Sequence, residues 1–340
     1  MQFPRDAVIL TALLICSART HAQTPAPAGD ESIIPNAAEL EALWDGGAFT
    51  EGVAVAPDGT IYFSDIPSDD APGRILRFDP VTGETTTACR DSAKSNGLMF
   101  DRSGRLIACC GANHGGQSLA EIMPDGQVRP LAPAWQGRKF NSPNDLVIHP
   151  DGGIYFSDPR YLGPEPLEID HMSVYRYDPS DNSVTRVTRD ITKPNGVVVS
   201  PDGNTLYVAE TDNRTINVNQ PAPEGAAPRM TLNAFPIKRD GTLGPKQVLV
   251  DFGDELGVDG MTVDVEGHIY AAVRSPSRFG IRIYDPQGEE LAYIPTPDLP
   301  TNCCFGIGDD ATMLYVTAGT GLYRIRLKIA GFHPATARAS

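Results

Sequence analysis

The stretch Asn144-Asp145-Leu146-Val147-Ile148-His149-Pro150-Asp151-Gly152-Gly153-Ile154-Tyr155-Phe156-Ser157-Asp158 decides the fold. A polar residue heads an apolar run, a Pro-Asp-Gly turn follows, and a second apolar run returns. That pattern is a β-hairpin. It recurs along the chain. Other units begin Glu51-Gly52-Val53-Ala54-Val55, Asn96-Gly97-Leu98-Met99-Phe100, Asn195-Gly196-Val197-Val198-Val199 and Asp259-Gly260-Met261-Thr262-Val263, with a sixth near Asn302-Cys303-Cys304-Phe305. The heads stand roughly 45 to 50 residues apart, with one longer step of about 64.

The second half of a unit also repeats. Arg74-Ile75-Leu76-Arg77-Phe78-Asp79-Pro80, Ser173-Val174-Tyr175-Arg176-Tyr177-Asp178-Pro179 and Gly280-Ile281-Arg282-Ile283-Tyr284-Asp285-Pro286 alternate and end in an Asp-Pro turn. A more polar outer strand follows each. About four strands per unit at this period predict an all-β, six-bladed β-propeller over 38–330. The sixth unit lacks an outer strand before the short tail, 331–340. The segment Glu39-Leu40-Glu41-Ala42-Leu43-Trp44 is expected to supply it and close the ring, which removes an exposed edge. The insertion 213–229, rich in Pro and Ala, is expected to be a surface excursion or a rim loop, with a lid as a further reading.

Composition narrows the partners. The chain of 340 residues carries a formal charge of −15 and a pI near 4.8, which disfavours nucleic acid and anionic membrane surfaces. Arg5 precedes a short apolar run, and Thr20-His21-Ala22 offers a cleavage site. Residues 1–22 thus read as a signal peptide, with 23–37 as a linker and the mature protein periplasmic or secreted. No later segment is long and apolar enough to cross a bilayer as a helix. Apart from Cys16, the cysteines are Cys89, Cys109, Cys110, Cys303 and Cys304. Five is odd, and two pairs are adjacent, so no disulfide framework is expected. Adjacent side chains on a strand face opposite ways, so each pair should divide between two packed layers.

In a propeller the innermost strands line a central channel, and their heads gather at one end of it. The heads here are Glu51, Asn96, Asn144, Asn195 and Asp259, with Asn302 or Cys303 in the sixth unit. Each Asn or Asp alone is an ordinary turn former. Together they form an oxygen-rich ring in which two carboxylates would repel unless a cation lay between them. Such donors suit Ca2+ first, then Mg2+ or Mn2+. Zn2+ is a weaker substitute, because it asks for imidazole or thiolate and none of the six histidines stands at a head.

At these residues the chain resembles the senescence-marker-protein/gluconolactonase/luciferin-regenerating-enzyme family, which includes regucalcin-like members. The resemblance rests on Phe140-Asn141-Ser142-Pro143-Asn144-Asp145-Leu146, Pro194-Asn195-Gly196, Asp259-Gly260-Met261 and Asn302-Cys303-Cys304-Phe305-Gly306. Tyr155-Phe156-Ser157-Asp158-Pro159-Arg160-Tyr161 looks like the bacterial gluconolactonase branch. The family implies one catalytic divalent ion in the channel and hydrolysis of a sugar lactone such as glucono-1,5-lactone. Carried over by motif, Glu51, Asn195 and Asp259 look like metal ligands, and Asn144 like a ligand or a substrate contact. Regucalcin-like members carry Arg where this chain has Ser142, so its sugar contacts are expected to differ.

Hydrolysis needs a polarised carbonyl, an activated water and a proton for the leaving alkoxide. Asp259 is the candidate general base, with a pure ligand role as its alternative. Asn96, His114, Asp158 and Arg160 are candidate substrate contacts. His114, between glycines in a loop, is either a proton shuttle or an exposed loop histidine. Asp158 and Arg160 face either the substrate or a salt bridge. No Gly-x-Ser-x-Gly elbow, P-loop or dinucleotide fingerprint follows a strand. The alternatives are an organophosphate or other lactone hydrolase on the same ion, and a non-catalytic binding platform.

Overall fold

Hairpin turns recur at equivalent places because each closes on a glycine in the left-handed region. Gly59, Gly104, Gly152, Gly203 and Gly267 all have φ between 73° and 96°. Aspartates reinforce the turns by capping backbone amides: Asp58 accepts from Thr60 N and Asp151 from Gly153 N. The Asp-Pro turns work the same way, with Asp79, Asp178 and Asp285 accepting from Val81, Ser180 and Gln287 N.

The computed structural model describes residues 24–221, 224–225 and 227–334. It shows six antiparallel sheets of four strands, one of which gains a fifth. They form a six-bladed β-propeller, as the repeats predict. Blade one comprises Thr50–Val55, Ile61–Asp65, Arg74–Phe78 and Thr85–Cys89, and blades two to five follow in chain order. Burial falls outward. The innermost strand of blade four, Pro194–Val199, is buried throughout, whereas the outer strand of blade three, Ser183–Thr188, alternates.

Blade six takes Pro300–Phe305, Met313–Ala318 and Gly321–Arg326 from the end of the chain and Glu41–Asp45 from its beginning. Glu41–Asp45 pairs antiparallel with Gly321–Arg326, and Trp44 packs edge-on against Phe63 of blade one at 5.4 Å. The expected closure is therefore present.

The apolar core is divided into wedges between neighbouring blades. Cys109 lies in the wedge between blades two and three, and Cys110 in that between one and two. Cys303 and Cys304 divide likewise between the wedges on either side of blade six. All five thiols are free and buried. They fill packed layers, as strand alternation requires.

The expected leader, 1–22, lies outside the described residues. Of the stretch read as a linker, 23–37, the described residues 24–37 are partly docked onto the blades. Ala28–Gly29 adds a fifth strand to blade five, and Ile33 and Ile34 are buried between blades five and six. The two buried side chains dock it, together with backbone bonds such as Asp30 N to Leu291 O and Lys328 N to Ile33 O. The tail also packs as far as Pro334: Phe332 N donates to Val263 O, and His333 Nε2 lies 2.9 Å from Gly306 O. Among the described residues, no helix is long and apolar enough to cross a membrane.

Candidate active site

Innermost strands slip register at their heads: between Glu51 and Ala54 in blade one, Ser95 and Leu98 in blade two, Pro194 and Val197 in blade four, and Val258 and Met261 in blade five. A bulge re-aims the side chain at its own position. Glu51, Asn96, Asn195 and Asp259, with Asn144 from the loop just before the unbulged strand Leu146–Ile148 of blade three, line one cavity of about 640 Å3. In blade six the slip falls between Pro300 and Asn302, so the residue equivalent to these heads is Thr301. The sequence assignment of Asn302 or Cys303 was displaced by one or two positions. Thr301 is fully buried, and its hydroxyl donates to Thr50 O at 2.8 Å. The sixth blade adds no head residue to the cavity wall.

The next position along explains the glycines. It is Gly52, Gly97, Gly196 and Gly260 in four blades, and Asp145 and Asn302 in the other two. A Cβ on Gly97 would lie 2.6 Å from Asp145 Oδ1, and one on Gly260 would collide with the Asn302 amide. The glycines make room for two polar side chains at the crowded axis. Asp145 accepts from Leu146 N at 3.0 Å and Val197 N at 3.1 Å, and the Asn302 amide bonds to it as well. Both residues line a second cavity, about 270 Å3, farther along the inner strands, which Phe332 and His333 border.

Charge is concentrated here. Glu51, Asp145 and Asp259 are 3%, 6% and 5% exposed. Burial, and then the charge of Asp259, push the Glu51 carboxyl well above the usual range. Burial lifts Asp145 to about 7. Asp259 is also raised by burial, but the Arg274 guanidinium and the Asn195 amide hold it back. Arg274 Nη1 donates to Asp259 Oδ2 at 2.6 Å. One guanidinium faces two carboxylates, Asp259 and Glu51, and Asn195 Oδ1 is buried with no hydrogen-bond partner. An orphaned acceptor of this kind costs about 1–3 kcal/mol. A divalent cation held by Glu51, Asn144, Asn195 and Asp259 would relieve both the charge and the orphan. The donors are all oxygen, which fits Ca2+. Among the described residues, no three His, Cys, Asp or Glu side chains stand together as a metal site, so the two carboxylates here need the amide oxygens to complete one.

Three expected substrate contacts lie elsewhere. Asp158 is fully buried and accepts from Asn141 N at 2.9 Å and Ser142 N at 2.7 Å. Arg160, 1% exposed, donates through Nε and Nη2 to Asn141 O and through Nη1 to Glu165 O. Neither lines the cavity. They brace the loop that presents Asn144, because its backbone groups need partners once buried. His114 sits outside the cavity wall, half exposed, with Nε2 3.2 Å from Asp70. Its backbone N donates to Glu165. Asn96 alone among the non-ligand candidates reaches the cavity.

Arg274 escaped the sequence reading, yet the repeat held a signal. It stands one residue past the partner of Val258 on the second strand of its blade. The equivalent residues Ile66, Gly111 and Thr211 also line the cavity. Tyr161 was missed too. It lies on the wall, its hydroxyl donating to Thr211 O and its ring 4.3 Å from the Lys193 ammonium. Of the described residues in the insertion 213–229, Asn213 and Val218 border the cavity, which favours the rim-loop alternative, and Val218 N donates to Tyr161 O.

The gluconolactonase of Zymomonas mobilis is 29% identical over 245 residues, which span 70% of this chain and 64% of that protein. The pentonolactonase XacC of Haloferax volcanii is 29% identical over 277 residues, spanning 80% of this chain and 81% of the relative. A solved structure of a Xanthomonas campestris gluconolactonase is 30% identical, with a TM-score of 0.75 over 90% of this chain and 96% of that one. Residues 49–320, from the head of blade one into the last blade, match the model described as the SMP-30/Gluconolactonase/LRE-like region. By the ring of heads and by that match, the chain belongs to the SMP-30/gluconolactonase/LRE-like family.

Proposed function

We propose that this protein hydrolyses a sugar lactone, such as glucono-1,5-lactone, with a divalent cation, Ca2+ foremost, held by Glu51, Asn144, Asn195 and Asp259. The reading is carried by one observation. Side chains from five different blades meet on one cavity wall, where Asn195 Oδ1 has no protein partner. Its relatives bear the names gluconolactonase and pentonolactonase. When bound, the cation supplies an electrophile for the carbonyl and acidifies water.

The chain's own groups supply the rest. Arg274 fixes one Asp259 oxygen, and the same carboxylate, beside the cation it would help to hold, is assigned to orient the attacking water and accept its proton. Water adds OH to the carbonyl carbon, the bond from that carbon to the ring oxygen breaks, and the ring oxygen takes the proton. The product is the open hydroxy acid. Asn96 and Asn144 lie where their amides can bind the ring's oxygens. The leader read at 1–22 would place this reaction outside the cytoplasm, and a mature protein beginning at Gln23 would bear that out.

Purified protein should lose glucono-1,5-lactone hydrolysis on chelation and regain it with Ca2+. Absence of lactone turnover in excess Ca2+, Mg2+, Mn2+ or Zn2+ would overturn the proposal.

A further inference from the structure

The cavity is larger and more apolar than a polyhydroxylated ring requires. Its volume, about 640 Å3, falls within the roughly 300–1,000 Å3 of pockets that enclose drug-sized ligands. Oxygen and nitrogen donors gather at the floor, around Glu51, Asn96, Asn144, Asn195, Asp259 and Arg274. Above them the wall is built from Phe49, Ile66, Pro143, Leu162, Val218 and Leu256.

The polar groups on that wall each spend part of their bonding capacity on the protein itself. Lys94 Nζ donates to the carbonyls of Pro67 and Asp69, each at 2.7 Å. Asn113 Nδ2 donates to Ser68 O, and Ser142 Oγ accepts from Ala112 N. Asn213 Oδ1 accepts from the buried Lys193 ammonium at 2.9 Å. The apolar groups, by contrast, stay open: Val218 and Leu256 are 47% and 36% exposed. They are two of seven large apolar side chains that stand exposed among the described residues, and a third, Ile216, lies on the same loop as Val218. Apolar groups collected at the mouth of a polar site mark a ligand contact rather than random surface.

We infer that the favoured substrate is a lactone bearing an apolar alkyl or aryl substituent, whose ring sits on the polar floor and whose substituent packs against Phe49, Ile66, Leu162, Val218 and Leu256. This rests on the lactonase reading and extends it to the substrate's second half. The rim loop and the Tyr161 segment hold that wall in place, because Val218 N donates to Tyr161 O at 2.9 Å.

The test compares kcat/KM of the full chain, with Ca2+, on δ-valerolactone, δ-decalactone and glucono-1,5-lactone, followed by acid release. Burying a pentyl group should raise kcat/KM on δ-decalactone at least about tenfold over the bare δ-valerolactone ring. Val218→Asp with Leu256→Asp should bring that ratio to within about twofold of unity, and their exposure makes both changes compatible with folding. Equal or lower kcat/KM on δ-decalactone overturns the inference, as does a ratio the double variant leaves unchanged. Turnover of glucono-1,5-lactone without any δ-decalactone preference leaves the lactonase reading standing. Turnover of no lactone overturns both.

Discussion

Asp259 carries the heaviest demands of any single residue here. One carboxylate oxygen receives Arg274 Nη1, and the residue lines the cavity together with Glu51. If it accepts the proton of the attacking water, Asp259→Asn should lower kcat by about 100-fold or more, the usual reach of general-base catalysis. Steady-state turnover at saturating Ca2+ checks this, and intact turnover would reduce Asp259 to a ligand. Arg274 has a separate signature. Its guanidinium opposes the charge of both Glu51 and Asp259. Arg274→Met should destabilise the metal-free protein by a few kcal/mol, since it leaves a buried carboxylate unpaired. Saturating Ca2+ should then raise the melting temperature more in the variant than in the parent, as thermal unfolding with and without chelator would show.

At the scale of elements, the loop before the innermost strand of blade three depends on Asp158 and Arg160. They serve the site without lining it. Burial lifts the Asp158 carboxyl to about 7, whereas an unfolded aspartate titrates near about 3.9. The folded state therefore holds this proton more tightly. The stability it contributes is complete below about pH 4 and is lost as pH rises through about 7, a swing on the order of a few kcal/mol. The melting temperature measured in chelator should fall from pH 5 to pH 8, and Asp158→Asn should flatten that slope. A slope identical in the variant would show that Asp158 ionises without cost. The Asn-Asp-Leu hairpin announced the strand and the head residue, but nothing in Asp158-Pro159-Arg160 distinguishes a brace from a substrate contact. Both uses ask for a charged residue at a strand end.

Over the whole molecule, stability rests on closing the ring. Glu41–Asp45 completes blade six, and Ile33 and Ile34 fill the wedge beside it. Deleting 24–45 would expose the Gly321–Arg326 edge and empty part of that wedge. The melting temperature should drop by roughly 10 °C or more, or the protein should aggregate through the open edge. Differential scanning calorimetry on the soluble fraction checks this, and an unchanged midpoint would mean that closure contributes little.

Sequence alone determined the number of blades, the closing strand, the split of the adjacent cysteines between layers, and five of the cavity-lining heads. These follow from local rules: strand alternation, turn chemistry and a repeat period, each readable within a few residues. Tertiary structure alone decided which residue of blade six is the head, because register depends on where the bulge falls between paired strands. It alone placed Arg274 against Asp259: the repeat marks the strand end, but only the packed blades bring its guanidinium onto the head of the neighbouring strand. It also turned His114, Asp158 and Arg160 away from the cavity, because buried backbone amides and carbonyls compete for the same charged side chains that a substrate would use. The glycines after the heads belong to both. Sequence showed four of them, and only the packed axis showed that they yield their space to Asp145 and Asn302.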